Sequence, residues 1–166
     1  MVKTVYLSLG SNLGDRGGNL RRAIEQLRNY GDVVAVSSLY ETEPMEVPDQ
    51  PRFLNCAVAL RTGLMPKQLL SRIAALEKRF GRRRTLPKGP RTLDIDILLF
   101  GSAVINTPQL QVPHPAMHQR RFVLEPLAEI APDERHPLLQ RTVRQLRQEL
   151  PKAAGTVKKL VDDGCQ

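Results

Sequence analysis

Two carboxylates two positions apart, Asp94 and Asp96, stand in a run of mostly branched apolar residues (Leu93, Ile95, Ile97, Leu98, Leu99) that follows a Gly89-Pro90 turn signal. Such a run reads as a β-strand. Side chains on a strand alternate between faces, so both carboxylates emerge on one side, roughly 6–7 Å apart along the backbone. Leu93, Ile95 and Ile97 then point the other way, into a core. Two parallel carboxylates on a rigid element can hold one or two hard cations, and Mg2+ takes oxygen ligands. The same pattern also describes a strand with a solvated acidic face, and the Asp-x-Asp pair alone favours that plainer reading. Arginine shifts the balance: Arg91 precedes the strand and Arg82-Arg83-Arg84 lies close upstream. Carboxylates that hold Mg2+ beside guanidinium groups that hold phosphate are the working parts of phosphoryl-transfer sites.

The other chemical candidates each admit two readings. The Gly10-Ser11-Asn12-Leu13-Gly14 segment, between a strand and a helix, could cradle phosphate or could be a tight turn before a capped helix. It has neither the Gly-x-Gly-x-x-Gly nor the Gly-x-x-x-x-Gly-Lys-Ser/Thr spacing, which argues against a Rossmann or P-loop nucleotide site. Arg82, Arg83 and Arg84 follow a helix end, where basic residues complement the helix dipole; three in a row also suit a lid over polyphosphate. Asn55 interrupts an apolar strand and is either a satisfied core amide or a reader of a heterocycle edge, since it offers both donor and acceptor. Phe53 and Phe122 are either core or stacking partners for such a ring. His114, stiffened between Pro113 and Pro115, could contact a phosphate or be a loop histidine with no task; with His118 and His136 it makes no zinc pattern.

These residues need a frame. Apolar β-branched runs predict strands at 2–9, 33–40, 53–60, 92–100, 104–105 and 121–127. Three- and four-residue apolar spacing predicts helices at 16–30, from Pro66 to Phe80, and at 138–150. The segments 41–52, 82–90 and 107–115 read as loops. The order strand, helix, strand, strand, helix, strand is the split βαβ, ferredoxin-like α+β arrangement: an antiparallel sheet with helices on one face and the C-terminal helix on the other face or an edge.

Bulk composition sets bounds. At 166 residues and 41% hydrophobic, the chain fits one domain spanning 1–166. With no Trp, three Tyr and four Phe, its core must be aliphatic. A net charge of +8, with Arg exceeding Lys, favours anionic partners and bidentate grip on phosphate. Part of that charge, such as Arg141, Arg144 and Arg147, fits a solvated helix surface. Cys56 reads as a small core residue and Cys165 as part of the tail, with no disulfide framework. The apolar stretch at 1–7 is too short for a signal peptide and no run is long enough to cross a bilayer, so a soluble cytoplasmic monomer is expected.

Taken together, residues 6–15 (YLSLGSNLGD), Phe53-Leu54-Asn55, Gly89 through Phe100, and Val112-Pro113-His114-Pro115 with 120–131 resemble the 6-hydroxymethyl-7,8-dihydropterin pyrophosphokinases of folate biosynthesis. The resemblance runs from the first strand to Ala131. It implies transfer of a diphosphoryl group from ATP to the hydroxymethyl of a reduced pterin, with release of AMP, on a ferredoxin-like fold. By that resemblance Asp94 and Asp96 hold two Mg2+ ions against the triphosphate. Thr42, Pro44 and Asn55 bind the pterin between Phe53 and Phe122. Arg82 and Arg91 serve catalysis, and Arg84, Arg91, Glu77, Leu98, His114 and Arg120 line ATP. The segments around Gly10, Pro44 and Arg84 match three loops that close during the cycle; Lys88 stands where some members carry a lid Trp, and Arg83 competes for the roles given to its neighbours. The partners implied are ATP and the dihydropterin alcohol, without nucleic acid or membrane. The rivals are a basic nucleic-acid-binding protein, which explains the charge but not the acid pair, and a two-metal nuclease, which explains both.

Overall fold

A computed structural model describes residues 1–42, 51–81 and 91–160. The first strand, β1 (Lys3–Ser11), has Val5, Leu7 and Leu9 wholly buried, and every residue from Leu7 to Ser11 is buried, as suits a central strand covered on both faces. Asp15 accepts the Gly18 N–H at 3.1 Å and so caps α1 (Arg16–Leu27), which puts the helix start where turn chemistry placed it. The predicted strand at 33–40 is two pieces, β2 (Asp32–Val36) and β3 (Tyr40–Thr42), both paired with β4 (Phe53–Thr62). Between them Ser37 substitutes its side chain for a ladder partner: its Oγ accepts the Ala57 N–H at 2.8 Å while its own N–H donates to the Ala57 carbonyl at 2.9 Å. Helix α2 (Pro66–Arg79) begins with proline, whose missing N–H would have no helical partner in the first turn. It ends at Gly81, where φ is +83°. The acidic strand is β5 (Asp94–Phe100), followed by a two-residue ribbon of β6 (Ile105–Asn106) and β7 (Gln111–Val112).

The main sheet runs β5-β1-β4-β3, with β2 beside β3 along the same edge of β4, and β1 is antiparallel to both its neighbours. This is the ferredoxin-like order expected from two strand–helix–strand units. Helices α1 and α2 cover one face and enclose the larger aliphatic core, including Leu20, Ile24, Leu60, Leu69, Ile73, Leu76, Leu93, Ile95 and Ile97. Cys56 lies in that core at 0% exposure, as its apolar setting suggested.

Several expectations need correction. Gly10 and Ser11 belong to β1 and are not turn residues. Residues 121–127 form no strand: they open α3 (Arg121–Ile130), a helix with Pro126 inside it. Val123, Leu124 and Leu127 lie on its buried side and pack on Ala57, Leu98 and Leu99, on the sheet face opposite α1 and α2. The β propensity of Phe122 and Val123 is overridden by tertiary packing, because the helical stripe of Val123, Leu124 and Leu127 covers this second face. The C-terminal helix is shorter than predicted, α4 (Val143–Gln148), started by a capping box between Thr142 and Gln145. Arg144 and Arg147 are solvated on it and pair with Asp133 and Glu125, whereas Arg141 precedes it and pairs with Glu149. The tail adds β8 (Val157–Lys159), which pairs with β3. Tyr40 ties that edge to α3 by donating to Glu129 at 2.6 Å; burial first, and then this carboxylate, push the Tyr40 hydroxyl pKa well above its ordinary value.

Between α3 and α4, His136 is 3% exposed, and its Nδ1 accepts the N–H groups of Leu138 and Leu139 at 3.2 and 3.0 Å. Burial, and then the facing His118 ring at 6.3 Å, lower its pKa below 6.5. The unfolded chain therefore takes up the proton first, so this contribution to stability is present above pH 6.5 and fades as pH falls from there towards the lowered native value. The expected result is a melting temperature that declines through this window, with a shallower decline in His136→Asn.

Candidate active site

Cross-strand pairing builds the site on the α3 side of the sheet. Paired residues share a face. Gly10 of β1 stands opposite Asn55 on one side and Asp94 on the other; Ser8 stands opposite Ala57 and Asp96. Both carboxylates therefore lie on one face, as their spacing predicted, with Leu93, Ile95 and Ile97 in the aliphatic core. Asp94 and Asp96 are half-buried. Arg91 reaches back to Asp94, its Nη1 lying 3.2 Å from Oδ1.

The polar edge of β4 forms the neighbouring part. Asn55 is 4% exposed and its Nδ2 donates to Thr42 Oγ1 at 3.0 Å. Thr42 pairs with Phe53 across the β3–β4 ladder. A Cβ added to Gly10 would come within 2.8 Å of Asn55 Oδ1 and 3.5 Å of the Phe53 ring, so the absence of a side chain makes room for both. Phe122 lies in α3, which packs on this face, with the Arg120 guanidinium 5.5 Å from its ring centre.

On the other flank, His114 donates its backbone N–H to the Leu98 carbonyl at 3.0 Å, and its Nδ1 accepts the Ala116 N–H at 3.1 Å. That second bond leaves Nε2 as the protonated nitrogen of the neutral ring. Burial, and then the positive charge of Arg120, lower the His114 pKa, while Asp94 opposes them. Beside Asp96 a cavity of about 270 Å3 is lined by Leu70, Ile95, Ile97, Leu110, His114 and Pro115. Leu98, expected at the nucleotide, is wholly buried under α3. A bulge after Ile97 puts Leu99 beside Leu98 on that side, and the Leu98 carbonyl is the acceptor for His114.

Glu77 is 8% exposed and its Oε2 accepts the Ile95 N–H at 2.8 Å. Because β5 is an edge strand, that N–H faces away from β1, and the carboxylate stands in for a missing neighbour strand. This anchor sits between the two aspartates in sequence. Asn12, read only as part of a turn, is 1% exposed and bonded to Arg91 and Pro51. Its position directly after a buried strand was the available signal. Pro44, Arg82, Arg83, Arg84 and Lys88 fall in 43–50 and 82–90, outside the described residues.

The donor set suits Mg2+. Among the described residues no group of three or more His, Cys, Asp or Glu could hold a metal, but Mg2+ usually keeps waters and binds through one or two carboxylates plus substrate phosphates. A pair of half-buried carboxylates on a rigid strand supplies that share of a coordination sphere.

Residues 6–132 match the model of a family described as 7,8-dihydro-6-hydroxymethylpterin-pyrophosphokinase. The chain belongs to that family. It is 49% identical to the 2-amino-4-hydroxy-6-hydroxymethyldihydropteridine pyrophosphokinase of Bacillus subtilis, over 78% of this chain and 79% of the relative. The enzyme of the same name from Pseudomonas aeruginosa is 47% identical over 82% and 86%, and that from Aquifex aeolicus 40% over 89% and 92%. Among solved structures, wild-type Plasmodium falciparum HPPK-DHPS with pteroate superposes with a TM-score of 0.73 over 90% of this chain at 18% identity, which supports the fold. This chain spans 42% of the length of that solved chain.

Removing the Glu77 acceptor leaves the Ile95 N–H without its partner, at a cost of about 1–3 kcal/mol. Urea unfolding of Glu77→Ala should show a loss of that size, and Glu77→Gln, which keeps an oxygen acceptor, a clearly smaller one. Equal losses would show that the acceptor is not what matters.

Proposed function

We propose that the protein carries out the pyrophosphokinase step of folate biosynthesis, moving the β,γ-diphosphoryl group of ATP to the hydroxymethyl oxygen of 6-hydroxymethyl-7,8-dihydropterin and releasing AMP. The observation that carries the reading is the placement of Asp94 and Asp96 on the same sheet face as the Asn55–Thr42 pair, joined by their common neighbour Gly10. An acid pair for a metal–phosphate complex and an amide for a heterocycle are thereby held on adjacent strands.

The adenine fits the cavity beside Asp96. Apolar Leu70, Ile95, Ile97 and Leu110 share its lining with polar Gln109 and Gln111, and β5 as an edge strand offers outward backbone groups to a purine. The triphosphate then runs along Asp94 and Asp96, with Arg91, Arg120 and His114 at its oxygens; neutral His114 donates through Nε2 without adding charge. Mg2+ ions held by Asp94 and Asp96, two in this reading, would neutralise phosphate charge and orient the β-phosphorus for in-line attack. By the family resemblance Arg82 would serve catalysis and Arg84 would bind ATP; both lie outside the described residues. The pterin lies over Gly10, with Asn55 and Thr42 at its polar edge and Phe53 and Phe122 on its two faces; Pro44, given to the pterin by the family resemblance, lies outside the described residues.

The substrate hydroxyl is the nucleophile, and among the described residues no strong general base stands out near it. Positioning by Asn55, Thr42 and the rings, and charge stabilisation by the guanidinium groups, supply most of the acceleration. Asp96 on β5 and Asn55 on β4 are held by the same central strand, so the relative placement of the two substrates is set by the ladder. A nucleic-acid-binding reading finds less support: Arg144, Arg147 and Arg141 are engaged in surface ion pairs.

Incubation with ATP, Mg2+ and the pterin alcohol should yield AMP; formation of ADP instead would refute the reaction. Asp96→Ala should abolish AMP formation while the circular dichroism spectrum stays as in the parent, and normal turnover would remove the metal role. In Gly10→Ala the new methyl must push Asn55 Oδ1 aside. Calorimetry should then show pterin affinity about tenfold weaker, equivalent to about 1.4 kcal/mol, with nucleotide affinity unchanged.

A further inference from the structure

Asn12 hydrogen-bonds to two segments far from it in sequence. Its Nδ2 donates to the Pro51 carbonyl at 3.2 Å. Its Oδ1 accepts the Arg91 N–H at 2.6 Å, and its own N–H donates to the Arg91 carbonyl at 2.9 Å. Pro51 leads directly into β4, which opens with Phe53 and Asn55. Arg91 is the residue whose guanidinium meets Asp94. Arg16 secures the same corner: its Nη1 donates to the Arg52 carbonyl at 2.7 Å and its Nη2 pairs with Glu41 at 2.9 Å.

The chemistry explains the residue type. One partner is an N–H and the other a carbonyl, so the buried side chain between them must accept on one side and donate on the other. A primary amide does both. A carboxylate would keep the Arg91 bond but turn an oxygen toward the Pro51 carbonyl. An aliphatic residue would leave both partners unmet in the interior.

We infer that Asn12 is a positioning residue that sets Arg91 against Asp94 and, with the same amide, holds the entry of the strand carrying the pterin-binding residues. The inference rests on the phosphoryl-transfer reading above. Asn12 works through Arg91 on the phosphate side and through Pro51 on the pterin side, without touching either substrate.

The test is steady-state kinetics on the full chain as Asn12→Ala, Asn12→Asp, Arg91→Ala and the Asn12→Ala/Arg91→Ala pair, with melting curves for each. Asn12→Ala should lower kcat about tenfold, the low end of the range for residues supporting a metal site. The double variant should be no slower than Arg91→Ala alone, because Asn12 acts through that arginine. Asn12→Asp should recover most of kcat, since it keeps the acceptor for Arg91, while the KM for the pterin rises. That split needs only the Asp variant, so it stands even where Asn12→Ala does not fold. A kcat for Asn12→Ala within about twofold of the parent, multiplicative losses in the double variant, or an Asp variant as slow as the Ala one would each overturn the inference. If the unaltered protein yields no AMP, the functional reading fails and this inference with it; if it does and the variants disagree, only the inference fails.

Discussion

Gly10 occupies the middle of three hydrogen-bonded strands, with Asn55 across one ladder and Asp94 across the other. Everything chemical in the site is referred to that point. Side chains alternate along a strand, so a slip of one residue in either ladder would send the carboxylates or the amide to the opposite face. The slip is prevented from behind. Val5, Leu7 and Leu9 of β1, Cys56, Val58 and Leu60 of β4, and Ile95 and Ile97 of β5 are buried against α1 and α2. Exposing even one or two such side chains costs about 1.5–3 kcal/mol each, so the aliphatic face holds the polar face in register.

The polar face carries its own cost. Two half-buried carboxylates on one strand repel each other unless positive charge is near. Arg91 meets Asp94 directly. His114 does not add a cation, because burial and Arg120 keep its pKa low. The edge position of β5 serves two purposes in this setting. It leaves backbone groups accessible beside the cavity, and it lets Glu77 cap the one N–H between the aspartates. Surface pairs such as Arg144–Asp133 and Arg147–Glu125 are exposed and contribute little to stability. The charge excess matters through the arginines near the acid pair.

Legibility from sequence varied with the kind of signal. The Asp-x-Asp strand read correctly because period two is a local property: branched residues alternate with acids over a few positions. Helices α1 and α2 read correctly because their apolar spacing and their punctuation, Asp15 and Gly81, agree. Residues 121–127 were misread because Phe122, Val123 and Pro126 carry the local marks of a strand or a break, while the 123, 124, 127 spacing that marks a helix acquires meaning only once a second sheet face needs cover. Leu98 was placed at the nucleotide by the family resemblance alone; the bulge that puts Leu99 beside it on the α3 face has no local signature.

The chain by itself determined the ferredoxin-like order, the two-faced acidic strand, the aliphatic core and the family resemblance, since each is written in spacings of a few residues. Which polar groups meet was decided only by tertiary structure. Asn12 with Arg91 and Pro51, Glu77 with Ile95, Gly10 beneath Asn55 and Tyr40 with Glu129 are contacts across tens of residues. Their physical reason is burial: once the sheet and helices exclude water, each polar group left inside must find a partner of matching polarity at hydrogen-bond distance, and the partner available is set by packing and by ladder register, which no local pattern encodes.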